Sequence, residues 1–353
     1  MSAPIVLMIE KQKMRDNLKK ARHKAKGAAI FGVLKGDAYG LGLVETARLM
    51  RDEGITRFAV GHPSEGATLR DADFRDEEIL VLRSTADPRD IEEILDAGLV
   101  ATVGSRDAAI ALSSLAERRG AVAEAHLKID TGLGRYGFLP GDFDKIQSVY
   151  RYANNLAVSG VYTHINAHAS ARAAISQVET FRAVLTKMQD HGMETGIIHA
   201  AGSGALFRFD LPRMDAVRIG QAVSGRLPGK RHGLLPVGAV ECPVTEIRWL
   251  PKGHCIGTSE RYTCRKPLRV AMLPVGLSDG VSVGRKKKDR LFSINLARAG
   301  TTGVWIGGQR VRTLGNVGMT HTAVDCTGIS CSVGDTATVD VDPIYCRLPR
   351  KYV

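Results

Sequence analysis

The sequence predicts an α/β protein: a (β/α)8 TIM barrel followed by a smaller, mostly β C-terminal domain. Three observations carry that prediction. Eight short apolar runs alternate with helix-patterned stretches through the first two thirds of the chain. Charged and glycine-bearing strings fall at the ends of these runs, where a parallel barrel gathers its chemistry. Past Ser224 the long helical periodicities stop, and short β-rich runs punctuated by Gly and Pro take over.

The 353 residues suffice for one large domain and a smaller one. A basic, helix-favouring segment from Lys11 to about Lys26 leads into a first strand, Ala28 to Leu34. That strand stops at Lys35, within Phe31-Gly32-Val33-Leu34-Lys35-Gly36-Asp37-Ala38-Tyr39-Gly40-Leu41-Gly42. A glycine-marked loop and a helical pattern through Leu43, Ala47 and Met50 follow. Further strands are expected at 57–60, 79–82, 99–103, 125–129, 158–162, 196–199 and 216–219. Helical patterns run from Pro63 to Leu69, Pro88 to Ala97, Arg106 to Arg118 and Ser176 to His191. Eight parallel strands in a row favour closure into a barrel over an open doubly wound sheet. The later runs are Val244 to Leu250, Leu268 to Val275, 303–306, Gln309 to Leu314 and Thr336 to Val341. The expected division is therefore a barrel over 1–228 and a β-rich domain over 229–353.

Composition is that of an ordinary globular protein, 44% hydrophobic and 24% charged, which excludes a disordered chain. No apolar stretch approaches the ~18 residues of a spanning helix. Met1 to Lys13 lacks the basic-then-apolar order of a secretory leader, so a cytoplasmic, membrane-free protein is expected. The net charge of +12 favours anionic partners, a phosphorylated ligand among them. Apart from Arg285-Lys286-Lys287-Lys288 the positive residues are scattered, and no nucleic-acid partner is expected. The six cysteines make no Cys-x-x-Cys pair and have no zinc-spaced histidines, so buried thiols and no metal are expected.

Several strand ends present functional groups. Lys35 ends the first strand. The fifth runs into Leu127-Lys128-Ile129-Asp130-Thr131-Gly132-Leu133-Gly134-Arg135-Tyr136-Gly137, whose glycines turn the backbone and throw Arg135 over the mouth. The sixth ends at His164. The seventh gives His199-Ala200-Ala201-Gly202-Ser203-Gly204, where backbone N–H groups and the Ser203 hydroxyl suit a phosphate. In the eighth, Val217-Arg218-Ile219-Gly220-Gln221, Gly220 would let a phosphate approach the backbone.

These strings strongly resemble, in order, the motifs of the alanine racemase family, pyridoxal 5'-phosphate enzymes built on a barrel. The resemblance implies a Schiff base on Lys35 and a phosphate contact from Tyr39. It puts Arg135 beside the phenolic oxygen, helping to hold the substrate, with Lys128 orienting it. It lays His164 against the cofactor ring and assigns phosphate contacts to Ser203, Gly220 and Gln221. Arg218 would face the pyridine nitrogen; a permanent cation there discourages its protonation and suits proton removal and return at the α-carbon.

The resemblance also implies a homodimer with shared active sites, the partner's β domain supplying a second, tyrosine base. Here Pro251-Lys252-Gly253-His254-Cys255-Ile256-Gly257-Thr258-Ser259-Glu260 puts Thr258 at that position, and Leu277 stands for the family's entrance tyrosine. Met319 fits the carboxylate-contacting position, Thr320 replaces an aspartate, and Tyr345 fits the phosphate-binding tyrosine of a shortened tail. The expected function is an amino-acid racemase or epimerase, with Lys35, Thr258, His164 and Arg135 in catalytic positions. Tyr262 or Cys255 would be the substitute acid. One alternative is an aldolase, hydroxymethyl-transfer or decarboxylase reaction, His164 serving as base in the space left by the missing tyrosines. Another is a non-catalytic pyridoxal-phosphate carrier.

Overall fold

The computed structural model describes residues 4–228, 232–257, 262–282 and 302–353; the basic run Arg285 to Lys288 lies outside the described residues. Contacts divide the chain into two units, Met14–Leu235 and Met1–Lys13 with Pro236–Val353. The first thirteen residues thus lie with the second unit, unlike the expected division. The reason is strand β1 (Val6–Ile9), whose hydrogen-bonded partners all belong to that unit.

In the first unit eight strands close a barrel in chain order: β2 (Ala29–Val33), β3 (Arg57–Val60), β4 (Glu78–Ser84), β5 (Val100–Val103), β6 (Ala123–Lys128), β7 (Leu156–Tyr162), β8 (Ile197–Gly202) and β9 (Ala216–Ile219). Every pairing is parallel, and β9 returns to β2 with Arg218 opposite Phe31. All eight coincide with the apolar runs, because strands buried on both faces need nearly unbroken hydrophobic sequence. Phe31, Val33, Ala59, Leu80, Val100 and Ala216 form one buried cluster of that interior.

Helices run over Leu43–Asp52, Pro63–Asp71, Pro88–Asp96, Arg106–Arg118, Phe143–Tyr152 and Ala171–Asp190. Proline pre-sets the first helical residue at 63 and 88. The helix expected from Ser176 starts earlier, at Ala171, because the Ser170 hydroxyl accepts from Ala173 N–H at 3.2 Å and caps it. No helix among the described residues is long and apolar enough to cross a membrane.

Among the described residues the second unit contains one nine-stranded sheet. After β1 it continues with β10 (Ala239–Pro243), β11 (Glu246–Leu250), β12 (Leu268–Leu273), β13 (Val304–Ile306), β14 (Gln309–Leu314), β15 (Thr322–Asp325), β16 (Thr336–Asp340) and β17 (Arg350–Tyr352), in the spatial order β11-β12-β15-β14-β13-β16-β10-β1-β17. Leu250, Ile256, Cys264, Leu268, Val270, Leu314 and Ala323 pack as one core on it. Cys242, Cys264, Cys326, Cys331 and Cys346 are buried and Cys255 is exposed.

Candidate active site

A cavity of about 700 Å³ opens over the carboxyl ends of the barrel strands. Lys35, Tyr39, Lys128, Arg135, His164, Ser203, Arg218, Gly220 and Gln221 all line it, so the structure brings together the barrel residues singled out from sequence. Arg208 adds a further cation and Arg83 lines the cavity while paired with Asp90; among the described residues the lining holds no Asp or Glu. Such a donor set suits an anionic ligand.

Lys35 follows β2 directly, and the chain then makes a left-handed turn. Gly36, Asp37, Ala38 and Tyr39 have φ of 65°, 54°, 52° and 58°. Glycine adopts this conformation freely, whereas each of the other three costs roughly 1–2 kcal/mol. Local hydrogen bonds hold the turn: Ala38 N–H donates to Leu34 O at 2.6 Å, and Leu43 N–H to Asp37 Oδ1 at 2.7 Å. Glu65 adds more from the helix Pro63–Asp71, beyond β3. Its Oε1 accepts from Gly36 N–H at 2.7 Å and Asp37 N–H at 3.2 Å. The Lys35 amine is lowered from its ordinary pKa by burial, then by Arg135 and Arg218, while Glu65 acts in the opposite sense.

Arg218 is fully enclosed at the end of β9. Its Nη1 donates to His199 Nδ1 at 2.7 Å. Its Nη2 donates to Thr163 O at 2.7 Å, Ala200 O at 2.9 Å and His164 Nδ1 at 3.0 Å. A guanidinium can only donate, so both histidines must accept through Nδ1 and carry their proton on Nε2. His199 Nε2–H then donates to His126 Nδ1 at 3.0 Å, which turns His126 Nε2–H towards Glu78 Oε1, 3.5 Å away. One cation thereby fixes the tautomers of a polar column through the barrel interior. His199 is stacked between Phe31 and Tyr162, with ring centroids 4.8 and 4.7 Å away. Burial first, and Arg218 next, push His164 and His199 well below the usual histidine range and His126 down to about 3. All three are neutral acceptors or donors at pH 7.

Ser203 Oγ accepts from the N–H groups of Gly220 and Ala222 at 3.1 and 3.2 Å, leaving its proton to donate. Gly220 is needed for a reason beyond ligand approach: a Cβ there would lie 2.6 Å from both the Tyr39 ring and Val33 O. Burial raises the Tyr39 hydroxyl to about 12, against Arg218 and a backbone hydrogen bond from Gln221. Lys128 lies over the faces of Tyr136 and Tyr162, at 5.5 and 5.6 Å. Burial, then Arg218 and Arg135, bring it down to about 8. Arg135 is exposed at the rim.

The remaining residues singled out from sequence belong to the second unit. Leu277 N–H donates to Gly318 O, and Ser278 N–H to Met319 O, both at 2.9 Å, so the Leu277 and Met319 segments run side by side. Met319 and Thr320 are exposed; Tyr345 ends a short turn, Pro343–Tyr345, and is also exposed. Thr258 lies outside the described residues. Of its proposed substitutes, Tyr262 accepts from Arg312 Nη2 at 2.6 Å, and Cys255 Sγ lies 3.7 Å from Thr263 Oγ1.

Glu65, His126 and His199 carry the supporting contacts and received no role from sequence. Only Glu65 had a usable signal: a glutamate three residues past a helix start, ahead of an apolar pattern.

Comparison with known proteins agrees with this geometry. Residues 9–228 match the family "Alanine racemase, N-terminal domain", and residues 237–342 match "Alanine racemase, C-terminal domain". The chain is 32% identical over 284 residues to an alanine racemase of Carboxydothermus hydrogenoformans, covering 78% of this chain and 76% of that one. It is 31% identical over 335 residues to an alanine racemase of Methylacidiphilum infernorum, covering 94% and 82%. Among solved structures, alanine racemase from Streptomyces coelicolor superposes with a TM-score of 0.84 at 24% identity, covering 99% and 98%, a likeness of fold. The chain belongs to the alanine racemase family, whose members depend on pyridoxal 5'-phosphate.

Proposed function

We propose that this protein is a pyridoxal-phosphate-dependent amino-acid racemase working as a homodimer, with Lys35 as the base on one face of the α-carbon. The donor set fits the cofactor. Ser203 retains a proton to donate, Gly220 admits no side chain beside Tyr39, and among the described residues the lining is cationic without a carboxylate to repel a phosphate. Ser203, Gly220, Gln221 and Tyr39 would hold the phosphate, with Lys35 carrying the aldehyde carbon and Arg218 at the ring nitrogen. When bound, the cofactor supplies an electron sink for the pair left at the α-carbon.

The chain's own part is proton handling. The observation that carries the reading is the Lys35 amine, set in the cavity and held below the ordinary lysine range by burial and by Arg135 and Arg218. A lysine so lowered is a better proton acceptor near neutrality. Burial lowers Arg218 to about 10, so it is still charged near neutrality, and the four acceptors of its hydrogen bonds are neutral, so none of them would cancel that charge beside the ring. That favours return of the proton to the α-carbon over transfer elsewhere. His164 is a poor candidate for a base: its Nδ1 is engaged by Arg218, and burial depresses its basicity. An aldol-type cleavage based on His164 therefore lacks its base.

Inversion requires a proton donor on the opposite face. We assign it to the second unit of the partner subunit, where Thr258 replaces the expected tyrosine and Tyr262 is the nearest phenol in sequence. The test incubates the holoenzyme in deuterium oxide with a panel of single-enantiomer amino acids. Exchange at the α-carbon should accompany loss of optical rotation for at least one of them; exchange with retained rotation would refute racemisation.

A further inference from the structure

We infer that Glu65 is the positioning residue for Lys35: its carboxylate ties the lysine's turn to the end of the neighbouring strand and sets where the side chain leaves the backbone. This rests on the reading of Lys35 as the cofactor-bearing lysine. The evidence is the division of labour between the two oxygens. Oε1 takes Gly36 N–H and Asp37 N–H, at 2.7 and 3.2 Å. Oε2 takes Gly61 N–H at 2.7 Å and His62 N–H at 3.3 Å, just beyond β3. Two of these four donors stand 29 and 28 residues away in sequence, so helix capping does not account for them.

A left-handed turn aims successive N–H groups to one side, making a small cup for an anion. Glu65 fills that cup from outside the cavity, so the cup is closed to a ligand. Gly61 completes the fit, since a Cβ there would lie 3.2 Å from Glu65 Oε2 and 3.2 Å from Lys35 Cβ. The lysine stem and the carboxylate thus both pack against Gly61. Among the described residues no ion pair involves Glu65, and its two oxygens take four backbone N–H groups. Among the described residues it is also the negative group that opposes Arg135 and Arg218 at the Lys35 amine.

Two variants separate this role from plain bracing. In Glu65→Gln the length is kept, but an amide NH2 must face one of the two N–H pairs and the charge is gone. In Glu65→Asp the charge stays and the reach shortens. The full-length, cofactor-free protein is acylated with an amine-directed reagent across pH, and the labelled Lys35 peptide is quantified. The midpoint for Lys35 should fall by about half a unit or more in Glu65→Gln and hold in Glu65→Asp. Amide exchange at Gly36 and Asp37 should rise about tenfold or more in both, with unfolding still cooperative.

A midpoint and exchange equal to wild type in Glu65→Gln would overturn the inference. Should that variant not fold, unchanged exchange at Gly36 and Asp37 in Glu65→Asp would overturn it alone. The underlying reading fails separately, when wild-type protein given pyridoxal phosphate and borohydride carries no pyridoxyl adduct on Lys35.

Discussion

Two fully buried neutral histidines, and His164 lining the cavity, make the barrel sensitive to acid in a calculable way. His126, His164 and His199 stay unprotonated in the folded state, His126 down to about 3, whereas an exposed histidine titrates near 6.5. As pH falls below 6.5 the unfolded chain binds protons that the folded chain refuses, so stability falls with pH. From pH 7 to pH 5.5 each histidine contributes about 1.2 kcal/mol of loss, and the three together about 4 kcal/mol. Glu78 works the other way, since burial raises its carboxyl and the folded state takes that proton more readily. A difference between variants isolates the histidine share. Urea unfolding of wild type and His126→Asn should be compared at pH 7.0, 6.5, 6.0 and 5.5, a range in which exposed carboxylates scarcely titrate. The wild-type free energy should fall by several kcal/mol, and the variant's slope should be about a third shallower. Equal slopes would refute the idea that the column stays unprotonated in the fold.

Two further outcomes follow from the same contacts. Arg218→Gln strips donors from Thr163 O, Ala200 O and two histidines at once, and should cost roughly 2–4 kcal/mol in denaturant unfolding. Because Arg218 also depresses His164 and His199, the acid slope should flatten in that variant. Gly220→Ala drives a methyl to 2.6 Å from the Tyr39 ring and Val33 O, at a cost of about 1–3 kcal/mol. Weaker retention of pyridoxal phosphate on gel filtration should accompany it.

The barrel was legible because parallel strands covered on both sides leave nearly unbroken apolar runs, as in Arg57–Val60 and Glu78–Ser84. Four residues sufficed to mark each. Val6–Ile9 is as apolar but could not be placed, since its partners Ala239–Pro243 and Arg350–Tyr352 lie far along the chain. Thr322–Asp325 is polar at both ends and does not mark itself. The site was legible wherever its chemistry is written contiguously, as in the strings around Lys35, Arg135 and Arg218. Its supports were not. Glu65 reaches Gly36 from the helix beyond β3, and His126 and His199 meet across the barrel between strands that are not neighbours in sequence. Nor did the glycines at 36, 40 and 42 disclose that Asp37, Ala38 and Tyr39 share the left-handed conformation.

The placement of Val6–Ile9 between Ala239–Pro243 and Arg350–Tyr352 has a consequence for biogenesis. During synthesis this segment leaves the ribosome before the residues it pairs with have been made. A fragment beginning at Pro236 would leave Arg350–Tyr352 with no neighbour in the sheet to pair with. The edge of the sheet formed by Arg350–Tyr352 thus depends on a segment made at the opposite end of the order of synthesis.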